Sequence, residues 1–266
     1  MALSLLTLNL FKITKEKLNL TRDVGFSWEF TDPIWLIKVD QVSGQLGIEL
    51  RSEQTMEHYF AVIDVHSCEV IKIKIPIETT NWWSTLLGIK GNQLIIGVYQ
   101  NQRNPGPITL IRYDWKRDII LEEILNFQLS EMTDTFIKGK VLKEEGFENL
   151  EISLGVGKNI EKISLPTIFP SGTPAFDTVA KYLRRKNIEP KGEVAYLEID
   201  HHILILYYKD NHDLFDKYLL WLMGEKVLQE FVLDLKVNGI SAESFMVLAN
   251  KLIFVQNKNK INIYDL

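Results

Sequence analysis

The sequence predicts an all-β chain of about five repeated four-stranded units with one inserted helix over 173–187. Three observations carry that prediction. Short runs rich in Leu, Ile and Val begin at residues 46, 94, 150, 203 and 252, a spacing of about 50 residues that marks repeat architectures built from strands. Other strand-like pieces flank each run in a constant order. One stretch alone, between the third and fourth units, carries helical spacing and helix-end signals.

In the first unit Ile34–Val39 precedes the run Leu46–Leu50; His58–Val65 and Val70–Ile77 follow it. The last piece alternates apolar and charged residues, as a half-exposed strand does. Its Pro76 suits an edge strand, where a missing N–H costs no ladder bond. The second unit has Trp82–Ile89, the turn Lys90-Gly91-Asn92, the run Leu94–Tyr99, then Ile108–Trp115 and Ile119–Ile124. The third has Thr135–Val141, the run Leu150–Val156 and Ile160–Leu165, with no fourth strand before an insertion over 166–192. The fourth has Val194–Ile199, the run Ile203–Tyr208, Lys217–Met223 and Val227–Leu235. The fifth has Phe245–Leu248, the run Leu252–Gln256 and Ile261–Leu266, after which the chain ends. Asp64, Asp114 and Asp265 each close a third strand, where a carboxylate can accept N–H groups of the next turn.

The helix is punctuated on both sides. Thr173 can cap it and Pro174 fits its first position. Phe176, Val179, Ala180 and Leu183 make one apolar stripe. Asp177 lies near the positive end of the dipole, and Lys181, Arg184, Arg185 and Lys186 near the negative end.

Four-stranded units of this length, with an apolar second strand and a third strand ending in apolar-Asp-apolar, resemble the blades of β-propellers. The likeness is to the broad WD-repeat and quinoprotein-like architecture, without the Trp-Asp dipeptide of the first or the recurrent Trp motif of the second. It implies one β-propeller-like ring over 26–266, preceded by an N-terminal arm or extra strand over 1–25. The last unit lacks a fourth strand, and residues 26–30 (Phe-Ser-Trp-Glu-Phe) alternate suitably to close it. Closure would remove exposed sheet edges. An open sandwich or two packed sheets is the competing arrangement.

Composition sets outer bounds. With 46% apolar residues the chain can bury a sizeable core. A formal charge of −5 gives no general basic face for nucleic acid. Cys68 is the only cysteine, so no intramolecular disulfide forms. The apolar start, Met1–Phe11, has its lysines after it rather than before, unlike a secretory signal. No run of about 18 uncharged apolar residues suggests a membrane span. These features lead to an expectation of a cytoplasmic protein.

No catalytic signature stands out, no cofactor is implied and no metal is expected. Adjacent His201 and His202 would point to opposite sides of a strand. Leu154–Lys158 lacks the glycine spacing and following helix of a phosphate loop. The expectation is therefore a non-catalytic module that binds a protein partner through varied loops on a rigid scaffold. The alternative is a propeller binding a small molecule or glycan, conceivably an enzyme, at one mouth of the ring. Its candidate ligand residues are Trp35, Trp82, Trp83, Arg51, His58, Arg103 and His212, an aromatic floor with a few polar groups. A third surface is the basic end of the helix, where Lys181, Arg184 and Arg185 could dock an acidic partner.

Overall fold

In the computed structural model, which describes residues 25–73, 82–100, 106–155, 160–239 and 245–266, the strands form four antiparallel sheets. A short strand, β1 (Phe26–Glu29), opens the described chain. The first sheet follows in sequence order: β2 (Ile34–Asp40), β3 (Gln45–Ser52), β4 (Glu57–Asp64) and β5 (Glu69–Ile73). The second has six strands. These are β6 (Ser84–Lys90), β7 (Gln93–Tyr99), β8 (Ile108–Asp114), β9 (Ile119–Met132), β10 (Phe136–Lys143) and β11 (Gly146–Ser153).

After β11 the chain leaves two short strands in two different sheets, β12 (Ile163–Ser164) and β13 (Thr167–Pro170). The helix α1 (Pro174–Arg184) comes next. The third sheet is β13 with β14 (Glu193–Ile199), β15 (His202–Asn211), β16 (Leu214–Met223) and β17 (Lys226–Val237). The terminal sheet contains β18 (Phe245–Leu248), β19 (Lys251–Gln256) and β20 (Lys260–Asp265), with β12 beside β18 and β1 beside β20. In that last pairing Phe26 faces Ile263 and Trp28 faces Ile261. Gly25, just before β1, lies so close to Tyr264 that a Cβ there would sit 2.5 Å from Cδ1 of the ring.

Four of the five apolar runs occupy β3, β7, β15 and β19, each with a strand on both sides. They are apolar because both faces are covered: Leu46, Ile48 and Leu50 are sealed on one side, and Leu94 and Ile96 pack against Phe60 and Val62 on another. The third run behaves differently. It is the edge strand β11, and its Glu151 and Ser153 are exposed beside buried Ile152. This is why four sheets stand where the sequence suggests about five four-stranded blades. β9 is 14 residues long; Ile119–Phe127 pairs with β8, and the stretch from Phe127 onward pairs with β10. The β10–β11 hairpin thereby extends the second sheet instead of founding its own. Residues 160–165, expected as a further strand of that unit, supply β12 to the terminal sheet through Ile163↔Leu248.

The sheets pack face to face in series. One core cluster joins the third sheet to the terminal sheet and centres on Trp221, Phe231, Phe254 and Tyr264. A second joins the terminal sheet to the first sheet, and a third joins the first to the second. No core cluster among the described residues joins the second sheet to the third. The free face of the third sheet is covered by α1, whose Phe176, Val179, Ala180 and Leu183 pack on Ile205, Tyr207, Leu220 and Leu222. Burying each large side chain of that stripe contributes about 1.5–3 kcal/mol.

The helix ends three residues short of the expected 187. Thr173 caps it by accepting the Phe176 N–H at 3.2 Å. Asn187 turns to φ +60 and Ile188 N–H returns to the Leu183 carbonyl at 3.0 Å, a left-handed exit that satisfies a terminal carbonyl. Asp64 and Asp114 accept turn N–H groups at 2.9–3.0 Å, whereas Asp265 pairs with Lys251. No helix among the described residues is long and apolar enough to cross a membrane.

Candidate functional site

The expected site residues Trp35, Arg51, His58 and Trp82 come together where the first sheet meets the second. Alternation puts Glu49 and Arg51 on one face of β3, and register places His58 opposite Arg51 on β4. That face looks toward β6. Trp35 is the extra residue of a bulge in β2, between Ile34 and Leu36, a device that re-aims a side chain at a sheet rim. Its strand is anchored on both flanks: Ile34 N–H donates to the Lys258 carbonyl, and Arg51 N–H to the Pro33 carbonyl.

At the centre is Glu49, a carboxylate with no exposed surface. One oxygen accepts from Leu86 N–H at 2.6 Å and Thr85 Oγ1 at 3.2 Å, both on the edge strand β6. The other accepts from Arg51 Nε at 2.7 Å, with Nη2 at 2.6 Å. Arg51 Nη2 also donates to the Ser84 carbonyl at 2.8 Å. Burial pushes the Glu49 carboxyl upward; nearby His58, the Leu86 N–H and the Arg51 guanidinium outweigh it and hold the group below its ordinary value. His58 is itself buried, edge-on to Phe60 at 4.7 Å. Its Nε2 lies 3.6 Å from Glu49, beyond hydrogen-bonding distance, and neither ring nitrogen has a hydrogen-bond partner among the described residues.

Above this buried ion pair the guanidinium carbon of Arg51 sits 4.7 Å from the Trp35 ring centre and 5.4 Å from that of Trp82, within cation–π range of both. Trp35 is 59% exposed and Trp83 40% exposed. The Trp83 carbonyl accepts from Tyr99 N–H. The result is a rim of indoles with its arginine locked beneath.

The remaining expected residues are dispersed. His212 is on the β15–β16 turn of the third sheet, and no contact among the described residues joins it to this group. Arg103 lies outside the described residues. On α1, Arg184 folds back on Glu189 through two bonds of 2.8 and 2.9 Å, while Lys181 and Arg185 are exposed.

The sequence reading missed two buried acids. Glu49 hides inside an apolar run, yet a lone acid there demands a partner. Asp40, at the other end of the same face, accepts from Gly91 N–H and Ser43 Oγ, each at 2.7 Å, and from Val42 N–H and Lys90. Burial pushes its carboxyl up, and these donors more than reverse the push. Asp40 borders a shallow cleft of about 350 Å³ that also involves Lys90, Asp114 and Arg117. Its charges are already paired with one another. No cluster of metal-ligating residues occurs among the described residues.

A family model described as a domain of unknown function (DUF4905) matches residues 39–121, which span the first sheet from the end of β2 and the second sheet as far as the start of β9. No curated protein matches the chain. Among solved structures, the chain is similar to one described as the Dos1 propeller, at 11% identity and a TM-score of 0.28. That match covers 87% of this chain and 54% of the other, so this chain spans about half its length. It is also similar to the AfRom2 CNH domain, at 9% identity and a TM-score of 0.24, covering 88% of this chain and 81% of the other. Likenesses this loose carry no argument about activity, and the rim must be read from its own geometry.

Proposed function

We propose that the chain is an open, four-bladed propeller-like module that binds a protein partner through the rim of Trp35, Trp82 and Trp83. The observation that carries this reading is the exposure of Trp35 and Trp83 on a support as rigid as a buried, fully bonded Glu49–Arg51 pair. An indole kept in water costs free energy unless something covers it, and Trp and Arg are the residue types that dominate protein-binding hot spots.

The test is a photo-crosslinker in place of Trp83, coupled with capture by the wild-type chain and by the Trp35→Ala/Trp83→Ala double variant. One defined protein, crosslinked at the rim and binding the purified wild-type chain at a fixed stoichiometry, is expected. The double variant should weaken it by about 2 kcal/mol or more with an unchanged melting profile. Equal binding by both chains would overturn the reading, as would crosslinks only to carbohydrate or to nothing.

A further inference from the structure

His58 is the buried group whose hydrogen bonds the rim leaves unmade. Its side chain is 1% exposed, on β4 opposite Arg51 of β3. A neutral imidazole carries one N–H donor and one acceptor nitrogen. Both nitrogens here are sealed without a partner among the described residues. The acceptor beside them is Glu49 Oε1, 3.6 Å from Nε2. That oxygen is already taken: it accepts from Arg51 Nε at 2.7 Å, with Nη2 at 2.6 Å. Two basic side chains thus stand beside one oxygen, and only one of them is bonded to it.

The surroundings decide which parts can move. The other Glu49 oxygen is fixed to β6 by Leu86 N–H and Thr85 Oγ1, so the carboxylate stays. Arg51 has other holds, the Ser84 carbonyl at 2.8 Å and the faces of Trp35 and Trp82. The charged groups set against the imidazole are Glu49 and Arg51, both on β3. To this cluster β6 brings Ser84, Thr85 and Leu86, and β2 brings Trp35, none of which titrates. Glu57, beside His58 on its own strand, is exposed, and Asp40 and Lys90 pair at the other end of the β3 face. A proton added to His58 therefore meets one anion and one competing cation.

We propose that His58 is a proton-operated release for the indole rim. Histidine is the side chain whose charge ordinarily changes between about pH 5 and 8. Uncharged, His58 leaves Glu49 Oε1 to Arg51, and the guanidinium holds Trp35 and Trp82 in place. Charged, its Nε2–H closes on Oε1 to the roughly 2.7–2.9 Å of a charge-assisted bond and repels the guanidinium beside it. Arg51 then gives up Oε1 and keeps the Ser84 carbonyl and the indoles, which reset around it. That this release governs docking rests on the reading of the rim as a partner surface; the exchange at Glu49 does not.

Proton–nitrogen NMR of the full chain alone follows the indole N–H groups and the Arg51 Nε–H from about pH 8 to about pH 5. The Trp35 and Trp82 signals are expected to shift together with one midpoint in that range. The Arg51 Nε–H signal, shielded by Glu49 at the upper end, should be lost to exchange with water below the midpoint. His58→Phe, which fills the space beside Phe60 without titrating, should abolish both changes. His58→Gln, which keeps a polar group that does not titrate, checks the same loss should the first variant unfold. Trp221, whose indole donates to His202 at 3.0 Å, should respond alike in every chain. Rim indoles that hold still across the range, or that move equally in the variants, would overturn the release. Neither result bears on the photo-crosslinking test of the rim, since no partner takes part.

Discussion

Glu49 is worth more to this protein as a joint than its position inside an apolar strand suggests. It carries an N–H of the neighbouring sheet's edge strand on one oxygen and a guanidinium on the other. Removing one partner of such a pair leaves the other buried and uncompensated, at about 3–5 kcal/mol. Glu49→Ala should therefore lower the unfolding free energy by about 3 kcal/mol or more in urea titration, whereas Glu53→Ala on the neighbouring turn should change it by less than about 0.5 kcal/mol. Both Glu49 and Asp40 have depressed folded-state values. Their contribution is fully present above the ordinary carboxyl range and is lost as pH falls through the folded values. Wild-type melting temperature should fall between about pH 5 and pH 3, and the Asp40→Asn chain should start lower and fall less steeply. For buried Lys217 the effect of substitution, not of pH, has the other sign: Lys217→Met, of similar volume and without a desolvated amine, should melt at the same temperature or higher.

At the scale of elements, what could be read in advance divides along a physical line. The helix was legible because its signals are local: a capping Thr173, Pro174 behind it and an i, i+3, i+4, i+7 stripe all act within a few residues. The central strands were legible because burial on both faces leaves no room for polar residues. The fate of the third run was harder to read, since Leu150–Val156 looks like the others until Glu151 and Ser153 are weighed as an outward face, and sheet membership depends on partners far along the chain. Trp35, Arg51, His58 and Trp82 could be nominated from loop positions in a repeated pattern. That Glu49 ties them together could not, because its partner Leu86 is a backbone N–H, and backbone donors leave no mark in sequence. Loss of the helix cap offers a local check: Thr173→Ala should cost about 1 kcal/mol, seen as faster amide exchange over 174–184 while β19 stays protected.

For the molecule as a whole, stability rests, among the described residues, on three interfaces between sheets and on the strand that residues 26–29 lend to the terminal sheet. Gly25 allows that loan because no Cβ fits against Tyr264. Gly25→Val should force the pair apart, exposing the β20 edge to other chains. Light scattering should then show concentration-dependent association in the variant alone.

The amphipathic segment on the third sheet has a further consequence for how copies of this chain meet. A series of stacked leaves with two bare ends could grow indefinitely, each copy seating its first leaf on another's last, as solenoids do without their terminal caps. Here one end wears a stopper: an eleven-residue rod, polar outside and greasy beneath, occupies the place the next leaf would take. The two ends are thus unlike, since the helix has taken the apolar face that a further leaf would need.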